Sequence, residues 1–279
     1  MTMLKLLFSI FISLSAIQLS AQSGMYRLLS PDHQLAIVIA TGQEVSWAVM
    51  KNNTQVLLPS KIALELGNGE VLGSHAVVRK SSKISVDHSF TTAFYKKSSV
   101  TDQCNELTLN FAGNYSLVFR AYNDGVAYRF ITKRKGELTI KNETVSFHFP
   151  ADHSGLFPLI QEYRVPGDPF MCSFESLYRK MSISQFPVDT LAFLPALINL
   201  GEGKNLEILE ADLEDYPDMF LHPEKGSLNS LQGAFAGYPA KESLFQNKLN
   251  AKVDGRENFI ARVDGRHSFP WRVLLLSNS

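Results

Sequence analysis

The stretch Ser116-Leu117-Val118-Phe119-Arg120-Ala121-Tyr122, Asn123-Asp124-Gly125, Val126-Ala127-Tyr128-Arg129-Phe130-Ile131 decides the fold. Both arms alternate with period two, the spacing of a strand whose successive side chains point to opposite faces. Asp-Gly between two β-rich runs is a strong short-range hairpin signal. Upstream, Glu106-Leu107-Thr108-Leu109-Asn110-Phe111 alternates in the same way. Nearer the N-terminus, Gln34-Leu35-Ala36-Ile37-Val38-Ile39 and Val45-Ser46-Trp47-Ala48-Val49 are β-rich. Lys51-Asn52-Asn53 separates the latter from Val56-Leu57-Leu58, and asparagines tolerate the left-handed conformations of a hairpin turn. Ile62-Ala63-Leu64-Glu65-Leu66 ends at a second turn, Gly67-Asn68-Gly69.

Downstream, Thr144-Val145-Ser146-Phe147-His148-Phe149 reads as a strand, followed by a loop-rich stretch over 150–187. Residues 191–200 and 206–211 are apolar enough for buried strands. Val-Asp-Gly-Arg occurs at 253–256 and again at 263–266. Two copies are too few for a solenoid and read as hairpin turns leading into Trp271-Arg272-Val273-Leu274-Leu275-Leu276. Helical periodicity nowhere persists. The expectation is an all-β chain forming a large antiparallel β-sandwich, with few short helices.

The 279 residues carry 27 Lys+Arg against 27 Asp+Glu, with 45% hydrophobic residues. Such a neutral chain lacks the basic surface that nucleic-acid binding requires. Lys5 followed by a mostly apolar run from Leu6 to Leu19 and by Ser20-Ala21-Gln22 has the order of a secretory signal peptide. Ser9, Ser13, Ser15 and Gln18 interrupt a run already short for a membrane span. Residues 1–21 are therefore expected to be cleaved, leaving 22–279 periplasmic or secreted and not membrane-spanning. Two cysteines, Cys104 and Cys172, exclude a disulfide scaffold or a Cys-rich zinc site; their pairing is left open.

Catalytic signatures are sparse. The sequence has no Gly-x-x-x-x-Gly-Lys-Ser/Thr, Gly-x-Ser-x-Gly or His-Glu-x-x-His. Gly201-Glu202-Gly203-Lys204 reads as a turn between strands. His148 and His153 flank Pro150, which removes any helix that would align them on a metal. Two acidic regions remain. Phe174-Glu175-Ser176-Leu177-Tyr178-Arg179 lies in the long loop after Val165-Pro166-Gly167-Asp168-Pro169. A carboxylate flanked by aromatics suits a sugar or a hard cation, but also suits an exposed Glu on a short helix beginning near Ser173. Glu210-Ala211-Asp212-Leu213-Glu214-Asp215-Tyr216-Pro217-Asp218 has the oxygen density for calcium but lacks EF-hand spacing. A strand end entering a polar loop is the simpler reading. Trp271, after Pro270, is either core or a domain contact.

Several segments resemble, in order, the N-terminal domain of glycoside hydrolase family 97. They are Ser30-Pro31-Asp32-His33-Gln34-Leu35, the hairpin 122–130, Phe174-Glu175-Ser176-Leu177-Tyr178, residues 208–219, and Ser268-Phe269-Pro270-Trp271-Arg272-Val273. The resemblance implies a β-super-sandwich of galactose-mutarotase-like fold over 22–279. It also implies secreted or periplasmic enzymes cleaving α-linked glucosides or galactosides. In such enzymes a (β/α)8 barrel supplies the acid and the base or nucleophile, and a calcium ion sits in the active site. By the same resemblance, Glu175 is the sandwich's glutamate ligand to that calcium.

A barrel needs about 250 residues, and this sequence ends where one would begin. Glycoside hydrolysis normally needs two carboxyl groups astride the bond, so no catalytic residue is expected in this chain and alone it should be inactive. The expected partners are an α-linked oligosaccharide and a barrel, on the same or a separate chain. The alternatives are a stand-alone carbohydrate-binding module and, through the mutarotase-like fold, an epimerase-like enzyme drawing on His148, His153 and Glu175.

Overall fold

A computed structural model describes residues 23–161, 167–245 and 248–278. The expected signal segment, 1–21, lies outside them. The first half contains β1 (Gly24–Leu29), β2 (Leu35–Thr41), β3 (Val45–Lys51), β4 (Thr54–Leu66), β5 (Val71–Leu72), β6 (Val78–Thr91), β7 (Ser99–Phe111), β8 (Tyr115–Ala121), β9 (Gly125–Thr132) and β10 (Glu137–His148). The second half adds β11 (Ser154–Pro158), β12 (Tyr178–Ser182), β13 (Ala196–Gly201), β14 (Lys204–Ala211), β15 (Met219–Pro223) and β16 (Ser230–Phe235). It closes with β17 (Pro239–Leu244), β18 (Ala251–Arg256), β19 (Ala261–Asp264) and β20 (Trp271–Asn278). Among the described residues, the one helical element is a 3₁₀ turn, Ile183–Gln185.

The strands form two nine-stranded antiparallel sheets. The first runs β1-β2-β3-β4-β10-β16-β15, with β5 beside β4 and β19 beside β10; the second runs β12-β11-β13-β14-β20-β9-β8-β7-β6. Strands β17 and β18 make a separate ribbon. Inward-facing residues of both sheets share one core, in which Trp47 of β3 meets Tyr128 of β9 edge to face at 4.9 Å. The expected all-β sandwich is therefore what the chain forms.

Local chemistry explains the turns. Asn52 and Asn53 take φ of 51° and 63°, the left-handed pair of a two-residue hairpin loop. Glu202 and Gly203 do the same, at 52° and 70°, between β13 and β14. The hairpin at Asn123-Asp124 also forms, joining β8 to β9. Gly125 serves a different purpose from the one its Asp-Gly pair suggests. It opens β9, and a Cβ there would stand 2.8 Å from the Leu274 carbonyl of β20.

Other details depart from the sequence reading. Residues 56–58 and 62–66 belong to one strand, β4, which carries an extra residue near Leu58-Pro59 where its register with both β3 and β10 shifts. A bulge is where a strand accommodates proline, which has no N–H for the ladder. The 150–187 stretch holds β11 and β12, not loop alone, and no helix begins near Ser173. The first Val-Asp-Gly-Arg copy lies inside β18, bulged at Asp254; only the second ends a strand and turns. Cys104, in β7, and Cys172 are both buried and unlinked. Among the described residues, no helix is long and apolar enough to cross a membrane.

Candidate functional site

Glu175 is exposed, in the segment that joins the described part of the long loop to β12. That segment has its own small core. Cys172 packs with Ile160, Phe193 and Phe220, and Phe170 leans on them. Phe174 contacts Phe193 at 5.4 Å and Phe220 at 5.9 Å between ring centroids. Its φ is +57°, a conformation a bulky residue adopts only where surrounding contacts hold it. The strain and the aromatic anchoring together fix the backbone that presents the Glu175 carboxylate.

Phe174 also lines a cleft of about 340 Å³, with Phe170, Tyr216, Asp218, Tyr238 and Arg256 among its walls. Arg256, at the end of β18, donates from Nε to Asp168 at 2.8 Å and from Nη1 to the Gly237 carbonyl at 2.8 Å. Asp168 thereby ties the loop to the ribbon. Burial pushes the Asp218 carboxyl above the usual carboxylate range. Aromatic walls with a few fixed polar groups suit a ligand having both apolar and hydroxylated surfaces.

The acidic segment 210–218 is braced from below. Arg272 of β20 is fully buried and forks onto Glu143 of β10, with Nε–Oε1 3.0 Å and Nη2–Oε2 2.6 Å. Its Nη1 donates to Glu210 at 2.6 Å. The Glu210 carboxylate also accepts the Met219 N–H, with its oxygens at 3.0 and 3.2 Å. Glu210 thus clamps together the two ends of the loop that brings Asp215, Tyr216 and Asp218 to the cleft. Burial raises the Glu210 pKa although Arg272 pulls it down. Burial alone would lower that of Arg272; Glu143 and Glu210 more than offset it, so the guanidinium stays charged. Strand end into polar loop is the correct reading of this segment. Glu210 is committed to Arg272 and Met219.

The other sequence candidates are dispersed. His148 places Nε2 2.9 Å from a Glu224 carboxylate oxygen without hydrogen-bond alignment, and its Nδ1 lies 3.1 Å from the Pro59 carbonyl. His153 meets the Phe149 ring edge to face, and burial lowers its pKa. No hydrogen bond or ring contact joins any two of His148, His153 and Glu175. Among the described residues, no group of three or more His, Cys, Asp or Glu side chains is placed to hold a metal ion. A carboxylate such as that of Glu175 is a donor type that calcium accepts, but calcium takes six to eight oxygens. The remaining donors would have to come from beyond these residues. Sequence reasoning missed Glu143, Asp168, Tyr238 and Arg256; Glu143 finds its partner 129 residues away and Asp168 and Arg256 find each other across 88.

Comparison with known proteins matches this architecture. The family model described as glycosyl-hydrolase 97 N-terminal matches residues 28–279. A retaining alpha-galactosidase of Bacteroides thetaiotaomicron is 34% identical over 99% of this chain and 42% of its own length. A glycoside hydrolase family 97 enzyme from Pseudoalteromonas sp. strain K8, in complex with acarbose, superposes with TM-score 0.73 at 19% identity. That match covers 91% of this chain and 36% of the enzyme. A beta-arabinopyranosidase superposes with TM-score 0.76 at 19% identity, over 91% of this chain and 40% of its own. The chain therefore spans less than half the length of the relatives it matches. It belongs to the glycosyl-hydrolase 97 N-terminal family.

Proposed function

We propose that this chain is the sandwich part of an α-glycosidase, packing on a catalytic (β/α)8 barrel and supplying Glu175 to an active-site calcium ion. The observation that carries the reading is an exposed carboxylate on a segment anchored by aromatics beside an aromatic cleft. The alpha-galactosidase relative, more than twice as long, supports a further catalytic part. In this reading the barrel supplies the proton-transfer and nucleophilic groups. The sandwich closes one side of an α-linked oligosaccharide's pocket. Calcium, completed by barrel oxygens, would polarise or position substrate hydroxyls. Export to the periplasm or outside the cell, through cleavage near residue 21, belongs to the same reading.

The test combines this chain with a family 97 barrel and follows 4-nitrophenyl α-galactoside and α-glucoside hydrolysis against free calcium. The chain alone should give no turnover, the combination should, and Glu175→Gln should raise the calcium needed by about tenfold or more. An unchanged calcium requirement in Glu175→Gln would end the assignment. The second reading, a carbohydrate-binding module acting without a barrel, is favoured by the aromatic residues, among them Phe170, Phe174, Tyr216 and Tyr238, that this chain brings to the cleft. Calorimetry of the chain with maltooligosaccharides and galactosides decides it, since the module must release or absorb heat without any barrel.

A further inference from the structure

We propose that the outer face of the second sheet carries a separate binding site for one neutral sugar ring, in the cavity bounded by Trp271, Tyr122, Arg120 and Asp124. The cavity holds about 260 Å³ and shares no lining residue with the aromatic cleft. Drug-sized ligands occupy pockets of roughly 300–1,000 Å³, so this one suits a single ring.

Its construction follows from strand pairing. Val273 of β20 lies opposite Ala127 of β9, and Ala127 lies opposite Arg120 of β8, so all three side chains share one face. Ala127 and Gly125 are too small to fill that face, and Val273 and Leu275 complete an apolar floor. Trp271 rises beside it, held by the Arg129 guanidinium 4.4 Å and the Arg120 guanidinium 5.0 Å from its ring centroid.

The polar groups decide the ligand class. Arg120 uses Nε on Glu106 and Nη1 on Asp102 and Tyr122. Its Nη2 has no partner among the described residues, and neither does the Asp124 carboxylate. A donor and an acceptor lining one cavity over an apolar floor suit a ring that carries hydroxyls and presents a C–H face. An anion does not match. Arg120 and Arg129 are already paired with Asp102, Glu106 and Asp212. With Asp124 added, carboxylates outnumber guanidiniums around the cavity.

The inference stands apart from the proposed calcium role of Glu175, and the assay separates them. The sequence has two tryptophans, and Trp47 is wholly buried. Emission that changes with added sugar therefore reports Trp271. Methyl α-D-glucopyranoside and methyl α-D-galactopyranoside are titrated into the chain, with inorganic phosphate as the anionic arm. The expected result is a saturable change for at least one glycoside, with half-saturation on the order of 1 mM. Asp124→Ala and Leu275→Ser, both at exposed positions, should each weaken it about tenfold, and Glu175→Gln should leave it unchanged. No saturation by roughly 50 mM would overturn the proposal. So would a response to phosphate alone, or one lost in Glu175→Gln but kept in Asp124→Ala, which would put the sugar in the other cleft.

Discussion

Arg272→Met should be among the most damaging single substitutions in the second half of the chain. The Arg272 side chain is 0% exposed, with Glu143 at 3% and Glu210 at 12%. Methionine fills similar space but leaves two carboxylates facing each other without their cation. Removing one partner of a buried ion pair typically costs about 3–5 kcal/mol, a large share of the roughly 5–15 kcal/mol that holds a domain folded. With a urea m-value near ~3 kcal/mol/M, the unfolding midpoint should fall by about 1–2 M. The assay is urea unfolding at pH 8, followed by far-UV circular dichroism and by tryptophan emission.

Two further measurements separate the ion pair from simple mispacking. Burial already raises the Glu210 pKa, and the Arg272 charge holds it down. Without Arg272 it rises further. A group whose folded pKa exceeds its unfolded value loses stabilisation as pH rises through the folded pKa, and regains it as pH falls. The deficit of Arg272→Met should therefore shrink between pH 8 and pH 5. Arg272→Met combined with Glu143→Met and Glu210→Gln should recover more than half of the loss, because neutral side chains replace both stranded charges. A deficit below about 1 kcal/mol, or one constant across that pH range, would refute this account of the triad.

The two Val-Asp-Gly-Arg copies should respond differently to the same change. Gly265→Ala puts a Cβ 2.6 Å from the Gly136 carbonyl and should cost about 1–3 kcal/mol in urea unfolding. Gly255→Ala meets nothing within 4 Å and should stay within about 0.5 kcal/mol of the parent. The Cys104 thiol, buried and with its pKa raised by burial, should resist Ellman's reagent in the native chain and react once urea unfolds it. Arg134 forks onto Glu70 at 2.6 Å and, with opposing burial, holds its pKa below the usual range. That contribution is present above the ordinary carboxylate pKa and lost as pH falls through the lowered one. Since Glu70 is partly solvent-screened, Arg134→Gln should cost at most about 1 kcal/mol at neutral pH, and the difference from the parent should disappear in acid.

The sequence was most legible where one residue's chemistry sufficed. Period-two alternation located β2, β3, β7, β8 and β9, and left-handed tolerance located the Asn52-Asn53 turn. Such signals act within a few residues, and so does their reach. Gly125 shows where that reach ends: its Asp-Gly pair does announce a hairpin, but the glycine itself is required by the Leu274 carbonyl of a strand about 150 positions away. The triad lies further still from local reading. Glu143 and Glu210 are 129 and 62 residues from Arg272, and each looks like an ordinary strand charge in its own window. The oxygen density at 210–218 was visible, but its use was not. That use depends on which carboxylate the sheet pairing buries, and here burial takes Glu210 for the frame and leaves Asp215 and Asp218 at the cleft. The same distinction applies to Glu175. Among the described residues no hydrogen bond or ion pair engages its side chain, while the rings of Phe170, Phe174, Phe193 and Phe220 hold the segment that carries it. Strained backbone and four aromatic rings fix the position of one outward-facing carboxylate, and that rigidity is what the calcium role proposed for Glu175 would use.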